Sequence, residues 1–387
     1  MNFTLTDTEL KWQKIAHDFA QNEVAPLAKK MDEDSKMEPK LIKRMAELGL
    51  LGAAISNEYG GSSATALSLA LIYEELGRAC SSVRGFMTVH LSLVMACINQ
   101  HGNQAQKKKY LPKLAKAEMI GCYCLTEPEA GSDAANIQTR AEKVDGGYKL
   151  NGEKIWITNA LSADLAIVFA KLPITSNEKP HKAVTAFLVE TKTPGFNRVK
   201  MPGKELGHRA SEHAHITFTD CFVPEENLLG KEYEGFAVAM SALDHGRLGV
   251  AAGALGVHQA CLDASVDFVR KRKQFGQRIG DMQMIQSLIA EMKVSLEASR
   301  LLVYHAAWKK DSGEPSSLEA SMAKYHATEA AVKAAGDAVL IHGGRGYSNE
   351  YPVERYYRDI KGLQIYEGTS QVQRIVIARH VIGKAVN

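Results

Sequence analysis

The stretch "GYKLNGEKIWITNA", residues 147–160, marks a change from helical to β-type sequence patterns. Its Asn151–Gly152 pair stands between two β-rich arms and predicts a β-hairpin. Further strand-like stretches follow, separated by Gly, Pro, Asn and Lys: "LAIVFAKL" (165–172), "AVTAFLVE" (183–190) and "AHITFTDCFVP" (214–224). Several short strands at such intervals predict a small barrel or sandwich.

Helical patterns flank this β-rich segment on both sides. Thr6, followed three residues later by Glu9, resembles a capping box at a helix start. The stretches "LIKRMAELG" (41–49) and "LSLALIYEELG" (67–77) both end in glycine, the usual residue at a helix end. Beyond residue 231, one apolar stripe at helical spacing consists of Ile285, Leu288, Ile289, Met292 and Leu296. We therefore predict three domains: helical (1–118), β (119–230) and helical (231–387).

The composition argues against several classes of function. The 387 residues are 45% hydrophobic and 24% charged with a net charge of only +3, as in ordinary globular proteins. The basic clusters at 106–110 and 270–276 are short and typical of solvated helix faces, so we expect no nucleic-acid binding. Only Cys122 and Cys124 of the six cysteines are close together, without a neighbouring histidine, so we expect no metal site. The first residues resemble neither a signal peptide nor a transit peptide, and no apolar run approaches the roughly 18 residues of a membrane helix. We expect a cytoplasmic protein without a membrane span.

Two stretches in the β-segment contain candidate binding groups. "CYCLTEPEAGSD" (122–133) changes from a strand-like start to a turn, and such turns expose backbone N–H groups that suit a polar-edged heterocycle or a phosphate. The alternative is an ordinary capped loop. In "KIWITNA" (154–160), Trp156 alternates with Ile155 and Ile157 and would face away from them on a strand. Core packing is the default for this Trp, and contact with an aromatic cofactor is the sharper alternative.

Three stretches in the C-terminal segment carry further candidates. In "RKRKQFGQRIGDMQMIQ" (270–286), Arg272 suits a phosphate and Gln283 suits a base or ribose. In "ALDHGRLG" (242–249), Asp244 and Arg247 are spaced as a surface ion pair on one helical face. In "IYEGTSQVQRI" (365–375), Glu367 is a lone acid at a kink between two apolar segments.

Together and in this order, the motifs resemble the acyl-CoA dehydrogenase family of flavoproteins over essentially the whole chain. The resemblance rests on "LTEPEAGSD", "WITNA", "RKQFG" and "YRDIKGLQIYEGTS" and on the spacing between them. It implies a multidomain α+β fold that is mainly α. Its parts would be an N-terminal helical bundle, a middle β-barrel or sandwich and a C-terminal four-helix bundle.

The resemblance also implies a reaction. The carboxylate at the place of Glu367 would remove the α-proton of an acyl thioester such as an acyl-CoA, and the β-hydrogen would leave as hydride to N5 of FAD. Electrons would pass on to an electron-transfer flavoprotein. A base for this task must be dry, close to the substrate and without a neutralising partner, because isolation among apolar residues raises its pKa toward working pH. The alternative is that Glu367 merely caps the following helix.

Carried over residue by residue, the resemblance assigns two sets of site residues. FAD would contact Tyr123, Leu125, Thr126, Gly131, Ser132, Trp156, Ile157, Thr158, Thr369 and Gln371, and in a neighbouring subunit Arg272, Phe275, Gln283, His342, Gly343 and Gly344. The thioester substrate would contact Ser132, Asp244, Arg247, Gly368 and Arg84. Sharing of FAD between subunits implies a homodimer or a homotetramer.

Two departures from the family pattern bear on partner and substrate. The family usually has glutamine where this chain has Leu340 in "LIHGG", and we expect His342 to compensate. Arg84 in "SSVRGFMTVHLSLV" (81–94) is at the place where glutaryl-CoA dehydrogenases have an arginine facing the far carboxylate, and similar stretches occur in members acting on carrier-protein thioesters. For Arg84, the alternative to binding substrate is a structural ion pair. For the substrate, the alternatives are a dicarboxylyl-CoA and a hydroxyacyl- or aminoacyl-carrier-protein thioester. For the function, they are a flavin oxidase on the same fold and a non-catalytic binding protein.

Overall fold

The computed structural model describes residues 4–174 and 179–383. The N-terminal part is helical, and its first helix begins at the predicted capping box, in which Thr6 and Glu9 exchange two hydrogen bonds. Two π-helical segments, Ala20–Val24 and Thr88–Met95, connect helices without a break in direction. The helices are α1 Asp7–Phe19, α2 Ala25–Asp34, α3 Pro39–Glu47, α4 Ala66–Ala79, α5 Ser81–Met87, α6 Ala96–His101 and α7 Gln104–Ala115.

Gly77 does not end a helix as predicted but lies inside α4. A Cβ at Gly77 would come within 2.5 Å of the carbonyl oxygen of Gly253 in the C-terminal part. The glycine is therefore required by the close crossing of two helices, a tertiary contact that overrides its usual role as a helix terminator.

One buried segment of the N-terminal part is apolar enough to resemble a membrane helix. Ser81–His101 has a mean hydropathy of 1.4 and the required length, contrary to the sequence-based expectation. However, 83% of this apolar window is buried inside the protein, as in the core helix of a globular domain.

The middle part is an eight-stranded mixed sheet. Its strands are β1 Gly121–Cys124, β2 Arg140–Val144, β3 Gly147–Thr158, β4 Leu165–Lys171, β5 Val184–Glu190, β6 Phe196–Lys200, β7 His213–Pro224 and β8 Leu228–Leu229. They are ordered β6-β7-β3-β2-β4-β5-β8, with β1 paired in parallel to β4. The middle β-domain is confirmed, as a mixed sheet.

Both faces of the central strand β4 are buried, which explains its nearly continuous apolar sequence. Leu165, Ile167 and Phe169 pack against the core of the helical parts. Ala166, Val168 and Ala170 pack into a second core enclosed by the sheet. The sheet therefore joins the two helical parts along one of its faces.

The predicted Asn-Gly hairpin is wrong. Strand β3 continues through Asn151 and Gly152, and the turn before it lies at residues 145–146, between β2 and β3. Asn151 bonds instead to Asp220 on β7, through a side-chain contact of 3.2 Å and a backbone contact of 2.9 Å. Gly152 has φ 145°, and a Cβ there would lie 2.7 Å from Thr139, so the glycine serves a bulge and a close approach.

The C-terminal part is again helical, and the predicted fold class is confirmed. The long helices α8 and α10 pack against each other, and α4 of the N-terminal part packs against α8. The predicted apolar stripe lies on α9, where Met292 and Leu296 are buried. The elements are α8 Gly235–Lys271, β9 Lys273–Gln274, β10 Gln277–Arg278, α9 Gln283–Asp311, α10 Ser317–His342, α11 Val353–Leu363 and α12 Ser370–Ile382.

Candidate active site

A cavity of about 480 Å³ lies where the N-terminal helices, the sheet and the C-terminal helices meet. It is lined mainly by apolar groups, as ligand sites usually are. Eight residues singled out from the sequence line this cavity: Arg84, Tyr123, Leu125, Thr126, Trp156, Ile157, Thr158 and Glu367. The structure thus brings the candidate acid and six of the ten first-subunit cofactor candidates to one place.

Glu367 lies on a strained turn between α11 and α12. Its φ is 56°, in the left-handed region, and Gly368 follows with φ 94°. A left-handed glutamate costs about 1–2 kcal/mol, a strain often found at functional sites. Thr369 caps α12 by accepting a hydrogen bond from the Val372 N–H at 3.2 Å. The alternative that Glu367 is only a helix cap is therefore wrong.

The carboxylate of Glu367 is poised to ionise near neutral pH. Its Oε2 is buried and has no hydrogen-bond partner in the described part of the chain. Burial raises the pKa of Glu367 to about 7, although the charges of Arg84, Lys324 and Arg247 act to lower it. The predicted base thus forms no ion pair in the parts of the chain described, but three cations influence it at longer range.

Gly246 on α8 provides the space that the carboxylate occupies. A Cβ at this position would lie 1.8 Å from Oε2 of Glu367 and 2.9 Å from Leu93. Since real Cβ atoms essentially never come closer than 3.0 Å, any other residue at 246 would displace the acid.

Trp156 faces the cavity because β3 contains a bulge. Its φ is 57°, and the pairing with β7 shifts register between Lys154 and Ile157. Trp156 is 51% exposed, whereas Ile157 is 2% exposed and belongs to the sheet core. The default expectation of core packing for Trp156 is therefore wrong, and its ring is accessible from the cavity.

A buried ion pair fixes the loop that follows β1. Lys154 Nζ lies 2.7 Å from Glu127 and also donates to the carbonyl of Leu125 at 3.1 Å. Glu127 accepts hydrogen bonds from the N–H groups of Gln138 and Thr139. These bonds hold residues 125–127 at the cavity wall, while Gly131 and Ser132 lie exposed farther along the loop, outside the cavity lining.

Arg84 is a buried cation without an anionic partner among the residues described. Only 1% of it is exposed; it donates to Tyr366 Oη at 2.5 Å and to Thr88 at 3.3 Å, and its Nε has no partner in those residues. A structural ion pair at a helix start, the alternative for Arg84, is therefore wrong. His208 and Ser211 line the same cavity, and the Ser211 hydroxyl also lacks a partner in the described structure.

Asp244 and Arg247 pair on α8 at the boundary between the core and the surface. The two side chains are 2.7 Å apart, and Arg247 is buried, with 7% exposure. Ser317 also donates to Asp244 at 3.1 Å. The expectation of a surface pair therefore holds only for Asp244, whose side chain is 38% exposed, and neither residue lines the cavity.

The remaining candidates lie away from the cavity of their own chain. Phe275 projects from the β9–β10 hairpin with 93% exposure, and in sequence Arg272 precedes this hairpin while Gln283 follows it at the start of α9. His342 is turned inward, stacked on Phe268 at 4.2 Å and bonded to the Ala338 carbonyl at 2.8 Å, so its imidazole is not placed to compensate for the exposed Leu340. The others are partly or fully exposed: Gly343, Gly344, Gly368, Thr369 and Gln371. Their contacts with FAD stay predictions.

The sequence interpretation missed several residues that shape the site. Each is a polar residue or a glycine inside an otherwise unremarkable pattern: Lys154, His208, Ser211, Gly246, Lys324 and Gln373. Lys154 had a local signal, since it is a charged residue within the strand-like stretch "KIWITNA". The roles of the others depend on contacts with distant parts of the chain. Residues 4–174 and 179–383 contain no group of three His, Cys, Asp or Glu suited to a metal.

Comparison with protein families decides the classification. Three family models match: the acyl-CoA dehydrogenase N-terminal domain at residues 6–118, its middle domain at 122–221 and its C-terminal domain at 233–382. The chain belongs to the acyl-CoA dehydrogenase family. It is 43% identical over 379 residues to an acyl-CoA dehydrogenase of Bacillus subtilis, which covers 98% of this chain and 99% of the relative. This family consists of FAD-dependent oxidoreductases acting on CH–CH bonds.

Solved structures of family members are similar throughout. Butyryl-CoA dehydrogenase from Megasphaera elsdenii has a TM-score of 0.95 and 42% identity, with 99% of this chain and all of the other covered. A chain in a structure of the electron transferring flavoprotein of Acidaminococcus fermentans has the same values. A glutaryl-coenzyme A dehydrogenase in complex with glutaryl-CoA has a TM-score of 0.94 and 37% identity, and the match covers 99% of this chain and 97% of the other. The family cofactor FAD is present in a similar structure, PigA with FAD and proline, with a TM-score of 0.93, 31% identity and coverage of 98% and 99%.

Proposed function

We propose that this acyl-CoA dehydrogenase family member oxidises an acyl thioester between Cα and Cβ, with Glu367 as the base. The observation that carries the proposal is the buried, unpartnered Oε2 of Glu367 at the wall of the cavity. Burial raises the pKa of this group to about 7, which suits a base that works near neutral pH.

The proton and the hydride removed from the substrate each have an acceptor. Glu367 takes the α-proton, and the electron pair of that C–H bond becomes the new double bond as the β-hydrogen departs with its electrons. FAD, when bound, supplies the acceptor for that hydride. The apolar walls at Val89, Leu93 and Leu243 keep water away from the carboxylate.

The cavity lining fits FAD. Trp156 presents an accessible indole, while Thr126 and Thr158 place hydroxyl groups at the same wall. Such a combination of an aromatic face and hydrogen-bonding groups suits a flat heterocycle with polar edges. We propose that these groups, with Tyr123, Leu125 and Ile157, hold the isoalloxazine part.

We also propose a homodimer or homotetramer in which FAD lies between subunits, and an electron-transfer flavoprotein as the acceptor. The almost fully exposed Phe275 beside Arg272 supports the first proposal, since an apolar ring in water usually marks a contact surface. The similarity to a chain in the electron transferring flavoprotein structure supports the second. A cytoplasmic location stays a prediction.

The test is anaerobic reduction of the bound flavin by butyryl-CoA, measured as the decrease in flavin absorbance. We expect rapid bleaching in wild type and a loss in rate of about 10²–10⁴-fold in Glu367→Gln, because general-base catalysis contributes about that factor. Equal FAD content in both proteins is the control. Full bleaching of the variant at the wild-type rate would remove Glu367 from the mechanism.

A second candidate, a substrate with a polar or anionic acyl group, is favoured by the environment of Arg84. A buried guanidinium without an anion is costly, so a ligand that supplies one would relieve that cost. Arg84 lines the same cavity as Glu367, next to His208 and Ser211. Candidate substrates are a dicarboxylyl-CoA such as glutaryl-CoA, or a hydroxyacyl or aminoacyl group on a carrier protein.

Substrate preference separates these alternatives. We propose comparing kcat/KM for butyryl-CoA, glutaryl-CoA and a carrier-protein thioester in wild type and Arg84→Ala. Tyr366→Phe is the matched control, because it removes a hydrogen bond to Arg84 but retains the charge. An anion-binding Arg84 predicts a selective loss with the anionic substrate, and an unchanged ratio would exclude that role. Rapid reoxidation of the reduced enzyme by air would instead indicate an oxidase.

A further inference from the structure

Two buried side chains form hydrogen bonds to the backbone of the turn that contains Glu367. The Gly368 carbonyl accepts a hydrogen bond from Lys324 Nζ at 2.7 Å and another from Gln373 Nε2 at 3.0 Å. Gln373 Nε2 also contacts the Glu367 carbonyl at 3.2 Å. A non-glycine residue with positive φ, such as Glu367, persists only when surrounding contacts fix it, and these bonds are such contacts.

Lys324 is an unusual residue for its position. It lies on α10 with 0% exposure and forms no ion pair with any described residue; its bonded partner is the neutral Gly368 carbonyl. A methionine of similar length would occupy such a site without the cost of burying a charge. The retained ammonium group therefore indicates a task that a neutral side chain would not perform.

We propose that Lys324 is the positioning residue of the catalytic turn. Its ammonium group fixes the Gly368 carbonyl, and thereby directs the preceding carboxylate into the cavity, while its positive charge favours the ionised, proton-accepting form of Glu367. This inference rests on the proposed role of Glu367 as the base.

Charged and titratable groups on several elements influence Glu367, and among the cations described Lys324 is the one that bonds to the backbone of the turn, whereas Arg84 bonds to the Tyr366 side chain. Arg84 comes from α5 and Arg247 from α8, and both act in the same direction as Lys324. The hydroxyl groups of Tyr73, Tyr123 and Tyr366 are also close enough for Glu367 to raise their pKa values. Burial lowers the pKa of Lys324 to about 8, partly opposed by Glu367, so its ammonium form predominates at pH 7. Glu329, which also acts on Lys324, is bonded to Ser370 at 2.5 Å.

The experiment compares Lys324→Met, which removes the charge, with Gln373→Leu, which removes the neutral hydrogen bonds to the same turn. Two pH titrations are measured in the holoenzyme. The first follows kcat for flavin reduction by butyryl-CoA. The second follows the infrared band of the Glu367 carboxyl group, which is identified by its absence in Glu367→Gln. For Lys324→Met we expect both midpoints to rise by roughly one pH unit, because a nearby opposite charge shifts a carboxyl pKa by 1–3 units. At pH 7 this shift alone lowers kcat about fivefold, with KM nearly unchanged.

For Gln373→Leu we expect a lower kcat with an unmoved infrared midpoint, and for Lys324→Arg a midpoint close to wild type. Melting temperature and FAD content show that each variant is folded. An unmoved midpoint in folded Lys324→Met, or an equal shift in Gln373→Leu, would overturn the proposal. The infrared titration needs no turnover, so it still tests Lys324 if no thioester reduces the wild-type flavin, a result that would refute the proposed function separately.

Discussion

Substitution of Gly246 by alanine places one methyl group in the space used by the carboxylate of Glu367, the proposed base. The new Cβ would lie 1.8 Å from Oε2 and 2.6 Å from Cδ of Glu367, so the carboxylate must retreat by about 1.6 Å to reach ordinary contact at 3.4 Å. A displacement of about 1 Å at a reacting group can reduce the rate 10²-fold. We therefore expect kcat for flavin reduction to fall at least about 10²-fold, equivalent to about 2.7 kcal/mol of barrier.

The protein should tolerate this change. Alanine favours a helix by about 0.8–1.0 kcal/mol over glycine, which offsets part of the local repulsion in α8. Gly249→Ala, one turn later on the same helix, is the matched control, because the nearest neighbours of its Cβ would be Thr88 and Tyr73, at 3.1 and 3.2 Å, rather than Glu367. The assay is stopped-flow flavin reduction by butyryl-CoA, with the melting temperature measured in parallel. Wild-type kcat in folded Gly246→Ala would refute the assigned position of the base.

Three further predictions concern pH and stability. The kcat/KM for flavin reduction should rise with pH through about 7, because Glu367 must lose its proton to act as a base; a flat profile in this range would contradict the assignment. Gly77→Ala should destabilise the protein by about 2 kcal/mol in urea unfolding, since its Cβ would lie 2.5 Å from the Gly253 carbonyl oxygen, and unchanged stability would argue against the close crossing. Lys154→Met should cost about 3–5 kcal/mol because it leaves the buried Glu127 carboxylate without its cationic partner, and the double variant with Glu127→Gln should recover much of that loss; equal stability of the two variants would show that the uncompensated charge is not the cause.

The order of the three structural parts could be predicted from periodicity, because each pattern extends over many residues. The apolar stripe of α9 and the burial of β4 on both faces are properties of long segments. A single residue that does not fit the pattern changes such a prediction little. The motif "IYEGTS" also drew attention to Glu367, a lone acid between two apolar segments, and the structure places it at the cavity wall; its role as the base stays a prediction.

Predictions that depended on one or two residues fared worse, because tertiary contacts decided the outcome. Asn151–Gly152 has the composition of a hairpin turn, but its side-chain and bulge contacts belong to a continuous strand. Gly77 has the position of a helix end, but it permits a helix crossing. Nothing near Lys324 in sequence indicates its partner, because the Gly368 carbonyl lies 44 residues farther along the chain.

The ionisation of Glu367 depends on how the parts of the protein pack together. The three cations that lower its pKa come from α5, α8 and α10, so one belongs to the N-terminal helices and two to the C-terminal helices. Burial acts against all three and raises the pKa to about 7. Because the opposing contributions come from separate helices, a small shift of α5 relative to α8 would change both the desolvation and the distance to Arg84. The proton affinity of Glu367 is therefore a property of the assembled cavity, and the sequence around residue 367 alone does not determine it.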